Sequence, residues 1–163
     1  MIRRVLQDSR GVVVLTVLLA SLCAACGQTA PAKTPAAGGE MPRSVVDPYL
    51  QIQTALASDS IEGVRANAGN IATAATSLGA PAMKIDTAAV QLAAAGDLAD
   101  ARAKFGALSE AIDTYMTGLK LVAPEGVRVA FCPMVQKPWM QEGSTLANPY
   151  YGSAMLTCGS FRN

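Results

Sequence analysis

The chain contains no histidine among its 163 residues, and only 15% of them are charged. The absence of histidine removes the commonest protein ligand of Zn(II) and Cu(II). It also removes every nucleophile that a histidine base would activate, which excludes hydrolases of the Ser/His and Cys/His types. No phosphate-binding loop, acid/base pair or nucleophile elbow is visible in the sequence. The sequence therefore predicts that the protein is not an enzyme.

The charges are nearly balanced, with 13 Lys and Arg against 12 Asp and Glu. Three of the basic residues, Arg3, Arg4 and Arg10, lie near the N-terminus. Residues 27–163 therefore keep ten basic and eleven acidic side chains, a net charge of −1. Because no basic stripe remains, the sequence argues against nucleic acid as a partner.

The N-terminus has the order of an export signal. The arginines precede an uncharged run of about 15 residues, shorter than the roughly 20 that a membrane span needs. The run ends in Ala24-Ala25-Cys26, and this order predicts a removable signal over residues 1–26. The end resembles a bacterial lipobox, which implies that Cys26 is lipidated and that the protein is anchored to a membrane in the periplasm or cell envelope. Ordinary cleavage, giving a secreted soluble form, is the alternative.

Residues 27–43 are rich in proline, glycine and alanine and show no periodicity. Such a stretch buries too little apolar surface to order itself, so we expect a flexible tether. Residues 44–163 then form one domain.

Apolar residues at helical spacing predict four helices in this domain. Gly79, Gly96 and the Pro124-Glu-Gly126 break separate or end them, and Asp97 is placed to cap the fourth. Because the loops are short, we expect an all-α, up-down four-helix bundle. The predicted buried faces comprise Val45, Tyr49, Ile52 and Leu56; Ile61, Val64, Ala68, Ile71, Ala75 and Leu78; Ile85, Ala89 and Leu92; and Leu98, Ala101, Phe105, Leu108, Ile112, Tyr115 and Leu119.

The C-terminal tail, about residues 127–160, differs in composition from the helices. Residues 127–131 alternate and favour a short strand, but we expect the tail to be irregular, with room for one short strand pair. It contains the two cysteines that follow Cys26, three of the seven methionines and the single tryptophan. Its motifs are Cys132-Pro-Met134, Trp139-Met140, Asn148-Pro-Tyr-Tyr-Gly152 and Met155-Leu-Thr-Cys158-Gly159.

These thiols and thioethers are soft donors, which select Cu(I), and by the same logic Ag(I), over harder ions. Cys132 and Met134 point to one face of an extended chain, and Met155 and Cys158 share one face of a helical turn. The spacing thus allows a metal site at Cys132, Met134, Met155 and Cys158, with Met140 as a fifth candidate. Trp139 would shield the ion or lie against the site.

A disulfide between Cys132 and Cys158 is the alternative, because exported two-cysteine domains usually contain one. It would close a loop of about 27 residues and stabilise the domain by roughly 3 kcal/mol in the chain-entropy model. The methionines would then fill the core. Asn148-Pro-Tyr-Tyr-Gly152 predicts a turn whose aromatic rings pack on the helices, and Gly152 permits a positive φ there.

The tail motifs resemble an uncharacterised exported domain family that is also found fused to periplasmic adaptor subunits of heavy-metal (copper/silver) RND efflux systems. Weaker similarity extends over residues 44–160. The resemblance implies a role in envelope metal homeostasis or efflux, with Cys132, Met134, Met155 and Cys158 as metal ligands and an efflux adaptor as a partner. It favours an envelope lipoprotein that binds or passes on Cu(I) or Ag(I). The alternative is a disulfide-locked interaction domain that docks on an envelope partner without metal.

Overall fold

The structure is a computed structural model and describes residues 33–162. The predicted export signal over residues 1–26, its lipidation site Cys26 and the first part of the predicted tether lie outside these residues. Within the described range, no helix combines the length and apolar character needed to cross a membrane.

Residues 33–162 contain four α-helices, which confirm the four that the apolar spacing predicts. They are α1 (Arg43–Ala57), α2 (Val64–Leu78), α3 (Met83–Ala93) and α4 (Leu98–Leu119). A 3-10 turn (Ala80–Ala82) joins α2 to α3. Asp97 caps α4 as predicted, since its carboxylate accepts a hydrogen bond from the Asp100 N–H at 2.8 Å.

The helices bury nearly the whole set of predicted apolar positions, with Tyr49, Phe105 and Trp139 among the largest buried side chains. Ile61 is an exception, because it precedes α2 and is 46% exposed. Consecutive helices pack on one another, whereas α1 and α4 make few contacts with each other. The helices therefore do not close into a four-membered ring.

The tail forms a three-stranded antiparallel sheet, so the prediction of an all-α bundle with an irregular tail is wrong. The strands are β1 (Val127–Cys132), β2 (Lys137–Glu142) and β3 (Ser160–Phe161), in the order β2-β1-β3. The fold is mixed α and β. The physical reason is that β2 packs on both α1 and α4, so it takes the place where those helices would meet in a bundle.

Two tyrosine hydroxyls form hydrogen bonds with backbone groups at the outer edge of β2. Tyr49 on α1 accepts a hydrogen bond from the Met140 N–H at 3.3 Å, and the Tyr150 hydroxyl donates to the Pro138 carbonyl. Proline at this edge has no N–H to leave unpaired. These contacts satisfy the backbone groups that an edge strand would otherwise expose.

The second half of the predicted tether lies against the domain. Backbone N–H groups of Lys33, Gly38 and Met41 donate to carbonyls of Ser77, Leu119 and Val122, at 2.9–3.1 Å. Met41 is almost completely buried. The part of the chain attached to the domain thus begins by residue 33, within the segment whose composition predicts a tether.

The two faces of the sheet have different environments. Strand alternation and the register, in which Met140 pairs with Val129 and Trp139 with Ala130, place Met140 on one face and Trp139 on the other. Met140 lines a small cavity together with Tyr49 and Ile112 of the helices. The opposite face, which includes Cys132, is covered by the loop over residues 143–159.

Candidate metal site

Two thiols meet at one end of the sheet. Cys132 ends β1 and is completely buried, and Cys158 is half-buried just before β3. The antiparallel pairing of Phe131 with Ser160 brings the two segments side by side. Both thiols are free. The structure therefore brings together the two cysteines that the sequence proposes either as ligands or as a disulfide.

The amide of Asn148 joins the two cysteine segments. Its Nδ2 donates to the Cys132 Sγ at 3.3 Å and to the Cys158 carbonyl at 2.7 Å. Its Oδ1 accepts from the Tyr150 N–H at 2.8 Å. Asn148 is completely buried, and a buried amide of this kind needs such partners to offset its desolvation.

Burial raises the pKa of the Cys158 thiol, and the neighbouring Cys132 sulfur raises it further through charge and hydrogen bonding. The thiol is therefore protonated at neutral pH, since a raised pKa favours the neutral form. A metal ion that binds this sulfur must displace the proton, so binding couples to proton release.

Trp139 lies on the same face of the sheet as Cys132, as the alternation requires. Its Nε1 donates to the Gln141 Oε1 at 3.0 Å, and that oxygen also accepts from the Ala147 N–H at 3.0 Å. Gly159 packs directly on the indole, because a Cβ at this position would lie 2.6 Å from the Trp139 Cη2. The indole thus supports the residue that follows Cys158.

Two of the candidate methionines are partly or largely exposed and lie close in sequence to the cysteines. Met134 occupies the hairpin turn between β1 and β2 and is 61% exposed. Met155 is 37% exposed, and its carbonyl accepts from the Cys158 N–H at 3.0 Å. This backbone turn agrees with the predicted three-residue spacing of Met155 and Cys158. Met140 is separated from both thiols by the sheet, since it faces the helices.

The loop that carries Met155 and Cys158 is anchored to the helices by a polar cluster. Arg102 on α4 donates to Asp59 at 2.5 Å, to the Leu56 carbonyl at 2.9 Å and to the Pro149 carbonyl at 3.1 Å. Asp59 also accepts from the Ser153 N–H at 3.2 Å. Hydrogen bonds from Ser153 and Arg102 hold the pKa of Asp59 at about 2.

Gly152 closes this cluster. Its φ is +55°, a value that glycine permits, and a Cβ would lie 2.1 Å from the Asp59 Oδ1. The preceding tyrosines pack as predicted: the Tyr150 ring lies 5.9 Å from that of Phe105 and 6.1 Å from the Trp139 indole, between ring centroids.

Sequence reasoning missed the side-chain roles of Asn148, Arg102 and Asp59. The Asn-Pro dipeptide indicates a turn at Asn148, but nothing local shows that its amide reaches cysteines 10 and 16 residues away. Arg102 and Asp59 pair across 43 residues, a separation at which no sequence spacing rule applies.

Within residues 33–162, no three histidine, cysteine, aspartate or glutamate side chains are grouped so that they could hold a metal ion. The candidate donors are two thiols and two thioethers, a set suited to soft ions. Comparisons of the chain with protein-family models, curated proteins and solved structures found no match.

Proposed function

We propose that this domain binds one soft monovalent metal ion, Cu(I) or Ag(I), through the sulfurs of Cys132 and Cys158. The observation that supports this proposal is that two free thiols from distant parts of the chain lie on adjacent segments, which the pairing of β1 with β3 and the Asn148 amide hold together. Thiolates are soft ligands that prefer Cu(I) to hard cations.

The methionines supply the second part of the proposed donor set. Met134 is two residues from Cys132, and the Met155 carbonyl is hydrogen-bonded to the Cys158 N–H. Thioethers are neutral, so they add soft donors without adding negative charge. Their exposure supports a role in receiving the ion from solvent or a partner and passing it to the buried thiol of Cys132.

Two thiolates that bind a monovalent ion need hydrogen-bond donors near the sulfurs. Two thiolates and one monovalent cation leave a net charge of −1, which is costly in a buried site unless hydrogen bonds stabilise it. The Asn148 N–H supplies such a bond to the Cys132 sulfur.

The cellular context belongs to the same proposal. We place the domain in the periplasm or cell envelope, held to a membrane through a lipid on Cys26, where it takes part in metal homeostasis or efflux. A heavy-metal efflux adaptor is the proposed partner. The order of charged, apolar and small residues over residues 1–26 supports export, and the tail resemblance supports the partner.

Competition with a chromophoric Cu(I) chelator tests the binding proposal. We expect the reduced protein to remove one equivalent of Cu(I) per chain from the chelator, and a Cys132→Ser/Cys158→Ser variant to remove none. The same protein should bind Ag(I) in competition with Cu(I). An unchanged stoichiometry in the double serine variant would refute the site.

Met140→Leu is the matched control for the methionines. This swap nearly conserves volume, so it costs less than about 1.5 kcal/mol of stability, and Met140 faces the helices. We expect Met134→Leu and Met155→Leu to weaken Cu(I) binding, and Met140→Leu to leave it unchanged. Equal affinities in all three variants would remove the thioethers from the donor set.

The second candidate is a disulfide-locked domain that docks on an envelope partner, and the adjacent positions of the two cysteine segments support it as well. Counting alkylatable thiols in protein taken directly from the envelope separates the two functions. Two free thiols per chain support the metal site, whereas a complete disulfide that resists strong reductant supports the structural role.

A further inference from the structure

We infer that Asn148 is the positioning residue of the thiol pair, holding Cys132 and Cys158 together in the geometry that binds metal. The expected effect of Asn148 on metal binding rests on the proposed function, whereas its positioning of the two cysteines does not. Asn148 is the residue whose side chain hydrogen-bonds to both cysteine segments, at the Cys132 Sγ and the Cys158 carbonyl.

Hydrogen bonds of both its backbone and its side chain fix the position of Asn148. Its backbone N–H donates to the Leu156 carbonyl at 2.7 Å, and its carbonyl accepts from the Gly152 N–H at 3.1 Å. Its Oδ1 forms an Asx turn with the Tyr150 N–H. Pro149 restricts its backbone to extended geometry. These contacts fix the orientation of the side-chain amide, so that its Nδ2 points toward the two cysteine segments.

The hydrogen bond from Asn148 to the Cys132 sulfur has a different effect from the hydrogen bonds that only anchor the loop. A hydrogen bond donated to a sulfur strengthens when that sulfur carries negative charge, as it does when it binds a metal. Metal ligands are commonly oriented by such outer hydrogen bonds, and losing one typically costs 10–100-fold in affinity. Asn148 would therefore act on the metal-bound state more than on the free domain.

Gln53 provides the matched control, because it fastens the same loop without touching sulfur. Its Nε2 donates to the carbonyl of Ala147, the residue before Asn148, at 2.7 Å. Gln53 is buried to a similar degree, at 4% exposure against 0% for Asn148. A role limited to loop anchoring predicts that loss of either side chain has the same consequences.

Asn148→Ser is the main test variant, since serine can keep the turn with the Tyr150 N–H but is too short to bridge both cysteine segments. Asn148→Asp is the second variant, because it is isosteric and keeps the acceptor oxygen while losing both donors. Circular dichroism of each variant establishes that it is folded.

The first readout is independent of metal. Diamide takes two electrons and two protons from a pair of thiols and leaves one disulfide, and the closure rate in the free protein reports how often the sulfurs meet. We expect closure to slow by about tenfold in Asn148→Ser and to stay within about twofold of wild type in Gln53→Ala, tenfold being about 1.4 kcal/mol.

The second readout is Cu(I) affinity together with the ultraviolet charge-transfer absorption of the Cu(I)–thiolate unit. We expect a loss of at least about tenfold in affinity and a shifted band for both Asn148 variants, and neither change for Gln53→Ala. Wild-type behaviour of both folded Asn148 variants, or equal losses in Gln53→Ala, would overturn the inference. If the wild-type protein binds no Cu(I), the proposed function fails, and the closure rates alone decide the role of Asn148.

Discussion

Replacing Gly152 by alanine should destabilise the domain by about 2–5 kcal/mol. This residue lies at the centre of the cluster that anchors the site loop, with φ at +55°. An added methyl group would lie 2.1 Å from the Asp59 Oδ1 and 2.2 Å from the Arg102 Nη2. Both distances are far inside van der Waals contact, so the two side chains or the loop must move.

Two effects contribute to this magnitude. The left-handed conformation costs an L-residue about 1–2 kcal/mol. Displacing the Arg102 guanidinium would break its hydrogen bonds to the carbonyls of Leu56 and Pro149, each of which contributes about 0.5–1.5 kcal/mol. The sum gives the stated range, before any loss of the Asp59 contact.

Urea unfolding measures this loss, with the fluorescence of Trp139 and the circular dichroism of the helices as two probes. Gly126→Ala is the control, because Gly126 has a φ of +82° and nothing within 4 Å of an added Cβ. We expect Gly126→Ala to cost about 1–2 kcal/mol. If the two variants lose the same stability, the steric argument for Gly152 is refuted.

Three further predictions concern the hydroxyl groups of two buried tyrosines and the carboxyl group of Asp59. Tyr115 has a buried hydroxyl without a hydrogen-bond partner, the one such side-chain atom within residues 33–162; Tyr115→Phe should leave the unfolding free energy unchanged or raise it by up to about 1 kcal/mol. Tyr49→Phe should lower the free energy of unfolding by about 1–3 kcal/mol, because it leaves Ser109 and the Met140 N–H without their partner. A larger loss of stability in Tyr115→Phe than in Tyr49→Phe, measured by urea unfolding, would contradict both predictions. The pKa of Asp59 lies at about 2, below its ordinary value of 3.8, so its contribution to stability is complete above about pH 4 and is lost as the pH falls through about 2. Asp59→Asn should therefore flatten the fall in stability between about pH 4 and pH 2, and an unchanged acid profile would count against this assignment.

The helices could be predicted from the sequence because each buries one face only. On α4, for example, Ala101, Phe105, Leu108 and Ile112 repeat at three- and four-residue intervals, and all four are buried. This pattern depends on the helix alone. It does not show what covers the face, so it could not distinguish a bundle from helices that pack on a sheet.

Strand β2 could not be predicted, because both of its faces are buried. Its central residues Pro138, Trp139, Met140 and Gln141 are all buried, so the alternation that marks a strand with one exposed face is absent. Proline and glutamine also have low strand propensity. The neighbouring β1 keeps an exposed Arg128 and half-buried Val129, and its alternation was sufficient to predict it.

For the site, the sequence provided the residue types but not the contacts. The placement of the Cys132 segment beside the Cys158 segment depends on the register of β1 with β3, and β3 has only two residues. The opposite placement of Met140 depends on its pairing with Val129. Both placements depend on the pairing of strands in the sheet, and the predicted all-α bundle contains no such sheet.

The environment of the thiols bears on whether they bind metal or form a disulfide. Thiolates, not thiols, react with oxidants and disulfides. Burial removes Cys132 from such reagents, and the raised pKa of Cys158 keeps it protonated. Both effects slow oxidation, whereas a soft cation can compensate for the lost proton by forming a strong bond to sulfur. The arrangement therefore favours thiols that stay reduced, which is the state that the proposed Cu(I) site requires.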